Sequence, residues 1–342
     1  MRSINKCLTD IKRSTNIAIF THMAPDADAL ASALALKKLI KCNNPNCEKI
    51  IDLFFDYEEL GDINGAIIQG VAHNVERCHK YDLGIALDCA SLSRLGKWQD
   101  LYNSCGTKIN CDHHITNEKF GDNNIVVKTS STCEALYLIA QSSGFTIPDD
   151  VCSLIYSGII TDTNNLTQGV ITTKTHQIIS ELMERKINLE ALNEHFFKNN
   201  TKSKAYLLRQ ALSTLRFFQN DRIAVMKINK KDLNECNATM EDTLGIVNHG
   251  IEIKGVDIAI LSIKQEDNSF YVSLRSKNGI NVSEIAKKMG GGGHDQVAAF
   301  QYAGSYTEMC EKLMPVCKEE LKNHPQEQHI TDLFGGDDEN TK

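Results

Sequence analysis

YDLGIALDCASLSRLGKWQDLYNSCGTKINCDHH, the stretch of residues 81–114, carries the pattern that decides the fold of this chain. Two apolar runs in it, 81–87 and 107–111, have the length and composition of buried strands. Each run ends at an acidic residue, Asp88 or Asp112, and two histidines follow the second of these. Ionisable side chains at the ends of two buried strands indicate a functional edge of a sheet.

The same alternation continues on either side of this stretch. Apolar runs at 16–20 and 49–55 predict two more strands. The runs 29–40 (ALASALALKKLI) and 131–141 (STCEALYLIAQ) predict helices, the second with a capping signature at its start. Strands that alternate with helices predict an α/β fold, with a mostly parallel sheet covered by helices on both faces. Ligands bind such sheets outside the carboxyl ends of the strands.

The second half of the chain has a different pattern. Residues 188–220 predict a helical segment with a polar break at 198–202. Three strands are predicted at 222–228, 256–264 and 269–275, with a turn at 265–268 between the last two. A short helix follows at 282–289. We therefore expect an α/β domain over residues 1–187 and a helical linker over 188–220. A smaller α/β domain over 221–325 and a polar, disordered tail over 326–342 follow.

The composition is that of a soluble globular protein, with 42% hydrophobic and 24% charged residues. The formal net charge of −7 argues against a long, sequence-independent grip on nucleic acid, which needs a broad basic surface. No apolar run reaches the roughly 20 residues of a membrane span. The 12 Cys lack CxxC pairs, which favours free thiols in a reducing cytoplasm over zinc ligation by Cys42 with Cys47 or Cys105 with Cys111.

Four more ionisable residues complete the acidic pattern. His22, Asp26 and Asp28 follow the strand predicted at 16–20, and Asp162 follows an apolar run that we also take as a strand end. Four carboxylates in one crevice would repel one another unless two divalent cations cancel their charge. Imidazole ligands favour Mn²⁺, Fe²⁺ or Co²⁺ over Mg²⁺ or Ca²⁺. The sequence therefore predicts a two-metal site, and such sites hydrolyse phosphate esters.

Each of these positions alone has a simpler explanation. Asp28 could cap a helix, while Asp88 and Asp162 could each lie in a plain turn. The four glycines at 290–293 could form a flexible loop, and Arg94 could be an ordinary surface arginine. The conjunction of several such clusters in one α/β half favours the metal site over these separate explanations.

In this order, the motifs resemble those of the DHH phosphoesterases with an associated DHHA1 domain. The matching positions are His22, Pro25, Asp26, Asp28, Asp88, Asp112, His113, His114, Thr161, Asp162 and Thr163, and then 273–276 and 290–294. The stretch between the two halves most resembles the subgroup of bifunctional oligoribonucleases, or nanoRNases, that are also 3′-phosphoadenosine-5′-phosphate (pAp) phosphatases. The resemblance covers nearly all of the chain except its tail.

The resemblance implies an enzyme that degrades di- to pentanucleotides of RNA to mononucleotides and dephosphorylates pAp. A hydroxide bridging two divalent cations, most simply Mn²⁺, would attack the phosphorus. The implied ligands are, for one cation, His22, Asp26 and Asp88, and, for the other, Asp28, Asp88, His113 and Asp162. As implied catalytic residues, Asp112 would orient the histidines, and His114 would contact the phosphate or assist the leaving oxygen.

The resemblance also implies a set of substrate-binding residues, which are Arg275, Gly291, Gly292, Gly293, His294 and Arg94. Arg275 would pair with a phosphate through its planar guanidinium, and the glycines would let backbone N–H groups approach it closely. Three positions, Asn164, Leu166 and Asp295, depart from the family pattern on the expected substrate side. These departures leave the substrate preference open.

Other substrates and classes also remain open. Cyclic di-AMP or its linear product pApA would require the same chemistry. A non-catalytic nucleotide-binding regulator would keep the fold without turnover, a single-strand exonuclease would need a basic groove, and an inorganic pyrophosphatase would carry a different second domain. The preferred metal, the cleavage polarity and the formation of a homodimer are not determined by these motifs.

Overall fold

The computed structural model describes residues 2–45, 48–56, 62–78, 80–265 and 269–324. The tail predicted at 326–342, most of the turn predicted at 265–268, and Cys47 lie outside these residues. The chain divides into two compact units, Met1–Asn199 and Asn200–Lys342, with the division inside the polar break at 198–202. Within the described ranges, no helix is long and apolar enough to cross a membrane.

The first unit contains a sheet whose described strands all pair in parallel, in the order β2-β1-β3-β4-β5. The strands are β1 Asn16–Phe20, β2 Ile50–Phe54, β3 Leu83–Leu87, β4 Thr107–Asp112 and β5 Asn123–Val126. The predicted parallel sheet is therefore confirmed. The strand β5 was not predicted, because its four residues, NNIV, are half polar and too short to show a pattern.

Helices cover both faces of this sheet. They are α1 Arg2–Arg13, α2 Ala27–Cys42, α3 Asp62–Gly65, α4 Gln99–Ser104, α5 Thr132–Ser142, α6 Asp149–Asp162, α7 Thr173–Met183 and α8 Leu189–Asn193. On one face, β1 residues Ile17 and Ile19 belong to a buried cluster with α1, α2, α5 and α6. On the other face, Phe20 packs with Tyr102 of α4. The predicted covering of both faces is confirmed.

Asp162 does not lie at a strand end, so that part of the prediction was wrong. It is the last residue of α6, in which Val151, Ile155 and Ile159 are fully buried at helical spacing. The short apolar run before Asp162 cannot by itself distinguish a buried helix from a buried strand. The Asp162 carboxylate therefore comes from the carboxyl end of α6, which packs against α2 and α5.

The second unit contains a mixed sheet in the order β10-β11-β9-β8-β7-β6. Its strands are β6 Arg216–Phe218, β7 Ile223–Ile228, β8 Ile258–Lys264, β9 Ser269–Ser276, β10 Gly292–His294 and β11 Val297–Ala303. The β7–β8 pair is parallel and the other pairs are antiparallel. Its helices are α9 Lys202–Ser213, α10 Lys230–Glu235, α11 Asn248–Ile251, α12 Val282–Lys288 and α13 Tyr306–Asn323.

Residues 188–220 are not helical throughout, which corrects the predicted helical segment. After α9 the chain forms β6, which pairs with β7 through a turn in which Gln219, Asn220 and Asp221 all have positive φ. Aromatic Phe217 and Phe218 favour a strand over a helix. The glycine-rich segment is likewise not a loop throughout, because Gly292–His294 forms the edge strand β10.

Candidate metal centre

The loop after β1 brings His22 and Asp26 to the start of α2. Asp26 caps this helix, and its Oδ1 accepts a hydrogen bond from the Ala29 amide at 3.0 Å. The alternative reading of Asp28 as the cap is therefore wrong, because Asp28 already lies in the first turn of α2 and is buried. Its carboxylate therefore does not cap α2.

Asp88 lies between the two histidines of the site. Its Oδ2 is 3.6 Å from His22 Nε2, and its Oδ1 is 3.5 Å from His113 Nε2. Its φ of 53° is a left-handed value that costs a non-glycine residue free energy. The Thr132 hydroxyl also donates to Oδ1 at 2.9 Å. His114 Nδ1 is also 3.6 Å from Oδ1, so Oδ2 faces His22 while Oδ1 faces His113 and His114. The two oxygens thus face different imidazoles, as those of a carboxylate shared between two cations would.

Two compact groups contain the six predicted ligands, and the ligand atoms of each group lie within 4.8 Å of one another. One group is His22, Asp26 and Asp88, and the other is Asp28, His113 and Asp162. In the second group, His113 Nε2 is 3.4 Å from Asp162 Oδ2. The structure therefore brings all six predicted metal ligands together at one edge of the first sheet.

Both histidine ligands are oriented through their other ring nitrogen. The Nδ1 of His22 is 2.7 Å from the Met23 carbonyl oxygen, and the Nδ1 of His113 is 3.4 Å from that of Thr129. A carbonyl only accepts, so with the proton on Nδ1 each imidazole can offer the lone pair of Nε2 to a cation. Arg94 lies at this site too, with Nη2 3.2 Å from His22 Nδ1.

Asp28 is held by the amino end of α5. Its Oδ2 accepts from the Thr132 amide at 2.7 Å, and its Oδ1 accepts from the Cys133 amide at 3.0 Å. These are unsatisfied first-turn amides at the positive end of the helix dipole, which favours a carboxylate there. The two oxygens are therefore fixed in direction before any cation binds.

The predicted catalytic pair, Asp112 and His114, are in contact. Asp112 is fully buried, and its Oδ1 is 2.7 Å from His114 Nδ1. The same oxygen accepts from the His113 amide at 2.8 Å, and Oδ2 accepts from Asn117 Nδ2 at 2.6 Å. Both oxygens of Asp112 therefore have protein donors, an arrangement suited to orienting His114.

The charges of the buried carboxylates are not balanced by the protein alone. Burial, together with the charge of Asp88, raises the pKa of Asp28 to about 7. Burial and neighbouring carboxylates also raise the pKa of Asp162 well above its usual value. Burial opposes the charge of Asp88 as well, but its bond to His22 and the charges of His114 and His113 outweigh it, so the pKa of Asp88 is lowered.

The three histidines show the complementary effect. Burial alone would lower each pKa, but neighbouring carboxylates outweigh it and raise the pKa of His22, His113 and His114. The leading carboxylate is Asp88 for His22 and His113, and Asp112 for His114. A set of buried oxygen and imidazole donors with excess negative charge fits divalent transition cations.

Arg275 lies in the second unit, on β9. Its Nε donates to Asn248 Oδ1 at 3.1 Å, and Nη1 donates to the Leu274 carbonyl at 2.9 Å. Burial lowers the pKa of Arg275. Among the described residues no carboxylate lies within ion-pair distance of this guanidinium. A fixed guanidinium without a carboxylate partner is suited to an anionic ligand.

The glycine-rich segment is required by the packing of β10 against β11. A Cβ on Gly291 would overlap the Ala299 carbonyl, and one on Gly293, whose φ is +146°, would overlap that of Val297. Gly292 has nothing within 4 Å of its Cβ position. His294 is exposed at the end of β10, and the Asp295 carboxylate accepts from Asn281 Nδ2 at 2.9 Å.

The Asn164 and Leu166 departures follow α6 directly. Asn164, Asn165 and Leu166 all have left-handed φ, at 45°, 57° and 61°. Asn tolerates this conformation without a glycine, whereas it is strained for Leu. The Thr163 hydroxyl accepts from the Leu166 amide at 3.0 Å and holds the turn. The two departures thus form one tight turn that ends the helix carrying Asp162.

Three supporting residues were missed from the sequence. Thr132 bonds both Asp28 and Asp88, Asn117 bonds Asp112, and Gly158 lies against Asp28. The capping signature at 131–134 announced the start of α5 but gave no sign that its amides would hold a carboxylate. Asn117 and Gly158 have no local signal, because their partners lie on other elements.

Two family profiles match the chain. The DHH family, N-terminal domain, covers residues 16–159, and the DHHA1 domain covers residues 220–323. A probable bifunctional oligoribonuclease and PAP phosphatase NrnA from Streptococcus mutans is 30% identical over 298 residues, which are 86% of this chain and 92% of that protein. The bifunctional oligoribonuclease and PAP phosphatase NrnA of Thermus thermophilus is 26% identical over 89% of this chain and 90% of its own.

Solved structures show the same fold. An exopolyphosphatase-related protein from Bacteroides fragilis superimposes with a TM-score of 0.79 at 23% identity, covering 94% of this chain and 96% of that one. RecJ from Thermus thermophilus, solved in complex with Mn²⁺, has a TM-score of 0.61 at 12% identity over 95% of this chain and 55% of its own. These likenesses define a two-domain α/β fold with a DHH and a DHHA1 domain. The chain belongs to the DHH family of phosphoesterases.

Proposed function

We propose that this enzyme uses two Mn²⁺ ions to hydrolyse short oligoribonucleotides, of two to about five nucleotides, to mononucleotides and to dephosphorylate pAp. The proposal rests on the position of Asp88, which faces His22 with one oxygen and His113 with the other. The relatives that match most of the chain are named as bifunctional oligoribonucleases and PAP phosphatases, which supports the same substrate class.

His22, Asp26 and Asp88 would hold one cation, and Asp28, Asp88, His113 and Asp162 the other. When bound, such a pair of cations lowers the pKa of a water molecule and stabilises charge on the phosphoryl oxygens. The protein's contribution is to aim the ligands beforehand. The α5 amides fix Asp28, and the Met23 and Thr129 carbonyls fix the two imidazoles.

His114 would act on the substrate directly. Asp112 accepts the Nδ1 proton of His114, so this ring is held in one orientation. Its other nitrogen, Nε2, can then contact a phosphate oxygen or donate to the leaving oxygen. Arg94, which lies next to His22, would supply a further positive charge to the phosphate.

The second unit would recognise the rest of the substrate. Arg275 would bind a phosphate, and Gly291, Gly292, Gly293 and His294 would offer backbone and imidazole contacts. Of the three glycines, Gly292 is the one whose Cα has open space, so it is the best candidate for close ligand approach. The Asp295 carboxylate is engaged by Asn281, which limits its repulsion of a phosphate.

The cytoplasm is the proposed location. The cysteines within the described ranges are free, and most are buried, as in proteins that remain in a reducing compartment. Burial raises the pKa of Cys89, Cys105 and Cys317 to about 12, which keeps these thiols protonated and unreactive.

A substrate panel tests the proposal. The purified protein is assayed with Mn²⁺ against pAp, pApA, cyclic di-AMP and RNAs from dimers to long single strands. We expect turnover of pAp and the shortest RNAs, with rates falling steeply as RNA length grows. Intact pAp and short RNAs would refute the assignment, and faster hydrolysis of cyclic di-AMP or pApA would favour that alternative.

Two variants test the metal site in the same assay. Asp88→Asn keeps the shape of the side chain but removes the shared charge, so turnover should be lost. Asp100→Asn makes the same change at an exposed carboxylate of α4 and should leave turnover unchanged. Equal activity in the two variants would contradict the proposed sharing of Asp88 between cations.

A further inference from the structure

The second unit contains a pocket of about 470 Å³ at one end of its sheet. Lys227 and Ser262, which are register partners on β7 and β8, line it together with Lys264 and Phe270, which are partners on β8 and β9. The start of α13, at Ser305 and beyond, closes one side. The volume is within the range of small-molecule sites, about 300–1,000 Å³.

Two lysines, Lys227 and Lys264, line the pocket. Within the described ranges, neither Lys227 nor Lys264 forms an ion pair with a carboxylate. Two described carboxylates adjoin the pocket, and each accepts a hydrogen bond from a backbone amide of a lining residue rather than pairing with a lysine. Asp232 accepts from the Asn229 amide at 2.7 Å, and Glu308 accepts from the Ser305 amide at 2.9 Å. Two ammonium groups in one concavity repel each other, and an anion between them removes that repulsion.

The amino end of helix α13 also favours an anion in the pocket. Its 18 residues begin at Tyr306, with Ser305 as the cap. The Ser305 hydroxyl accepts from the Glu308 amide at 3.2 Å. Over the ranges that the structure describes, the amides of Tyr306 and Thr307 have no hydrogen-bond acceptor. These amides lie at the positive end of the helix, so they reinforce the preference of the lysines for an anion.

The pocket also has aromatic walls. The ring centroids of Phe270 and Tyr306 are 5.8 Å apart, with a 56° angle between the planes. The Lys227 ammonium lies 5.6 Å from the Tyr306 ring centroid, so charge and aromatic surface adjoin. A ligand with a phosphate on a flat, apolar ring system matches both features. We propose that this pocket binds a nucleoside monophosphate.

The pocket is separate from the Arg275 site. Lys227, Ser262 and Phe270 lie on the sheet face that α12 and α13 cover, whereas Arg275 lies on the opposite face and contacts Asn248 of α11. The two sites also occupy opposite ends of the sheet, since Phe270 pairs with Lys264 and Arg275 pairs with Ala259. The proposal therefore goes beyond the proposed reaction and does not depend on it.

Isothermal titration of the full chain with AMP tests the pocket, in EDTA so that the metal centre does not contribute. The wild-type protein should bind AMP, and added salt should weaken the binding. The double variant Lys227→Gln with Lys264→Gln should bind at least about tenfold more weakly. A second double variant, Lys318→Gln with Lys322→Gln, removes the same charge from the other end of α13 and should bind like the wild type.

Further measurements separate the parts of the ligand, and the pocket from the metal centre. Inorganic phosphate and adenosine should each bind more weakly than AMP. Asp88→Asn, which alters the metal centre, should leave AMP binding in EDTA unchanged. Equal AMP affinity in the wild type and the Lys227/Lys264 variant, with both shown to be folded by thermal melting, would overturn the proposal. Phosphate binding as tightly as AMP would overturn its nucleoside part.

Discussion

Gly158 offers a strong test of how the metal centre is built. It lies in α6, and a Cβ at this position would overlap Asp28 Oδ1 and Cys133 Sγ and lie 2.7 Å from Cys133 Cβ. Neither neighbour can withdraw easily, because Asp28 is bonded to two α5 amides and Cys133 lies in α5 itself. The change Gly158→Ala should therefore separate α6 from α5 and displace the Asp28 carboxylate.

Two opposing effects set the size of the change. Overpacking a buried site costs about 1–3 kcal/mol. Replacing glycine by alanine within a helix stabilises the folded state by about 1 kcal/mol through helix propensity. The free energy of unfolding of Gly158→Ala should thus fall by up to about 2 kcal/mol. Displacement of Asp28 should also weaken the second ligand group, so turnover with Mn²⁺ should fall further than the loss of stability explains.

Urea unfolding in EDTA and again with Mn²⁺ measures both effects. The stabilisation by Mn²⁺ depends on its affinity for the folded state, so it should be smaller in the variant than in the wild type. Gly65→Ala is the matched control, since Gly65 is helical and nothing lies within 4 Å of its Cβ position. A Gly158→Ala protein with wild-type stability and the same response to Mn²⁺ would refute this account of the packing.

Three further predictions concern the centre and the Arg275 site. Asn117→Ala removes a hydrogen-bond donor from Asp112, so kcat should fall about 10- to 100-fold, as it does for other residues that orient metal-site histidines. An unchanged kcat would contradict a supporting role of Asn117. Arg275→Lys loses the planar guanidinium, so KM should rise more than kcat falls, and steady-state kinetics that show the reverse would contradict phosphate binding. Mn²⁺ should raise the thermal unfolding midpoint and EDTA should reverse the rise, whereas no shift would argue against a metal bound to the folded state.

The first sheet could be predicted well because its signals are local. Buried parallel strands are continuous apolar runs, and four of the five strands in the first unit have one. Three of the elements that were missed or wrongly assigned lack such a signal. The strand β5 is half polar, β10 consists of two glycines and a histidine, and the apolar end of α6 resembles a strand over a few residues.

The sequence by itself determined which residue types could bind metal and the parallel sheet that gathers them at one edge. Both follow from composition and spacing over short stretches. Only the tertiary structure decided which oxygen of Asp88 faces which histidine, which atoms of Asp112 and His114 are in contact, and that Asp162 comes from a helix. These depend on packing between distant segments, as in the bond between the Thr132 amide and Asp28, which are 104 residues apart.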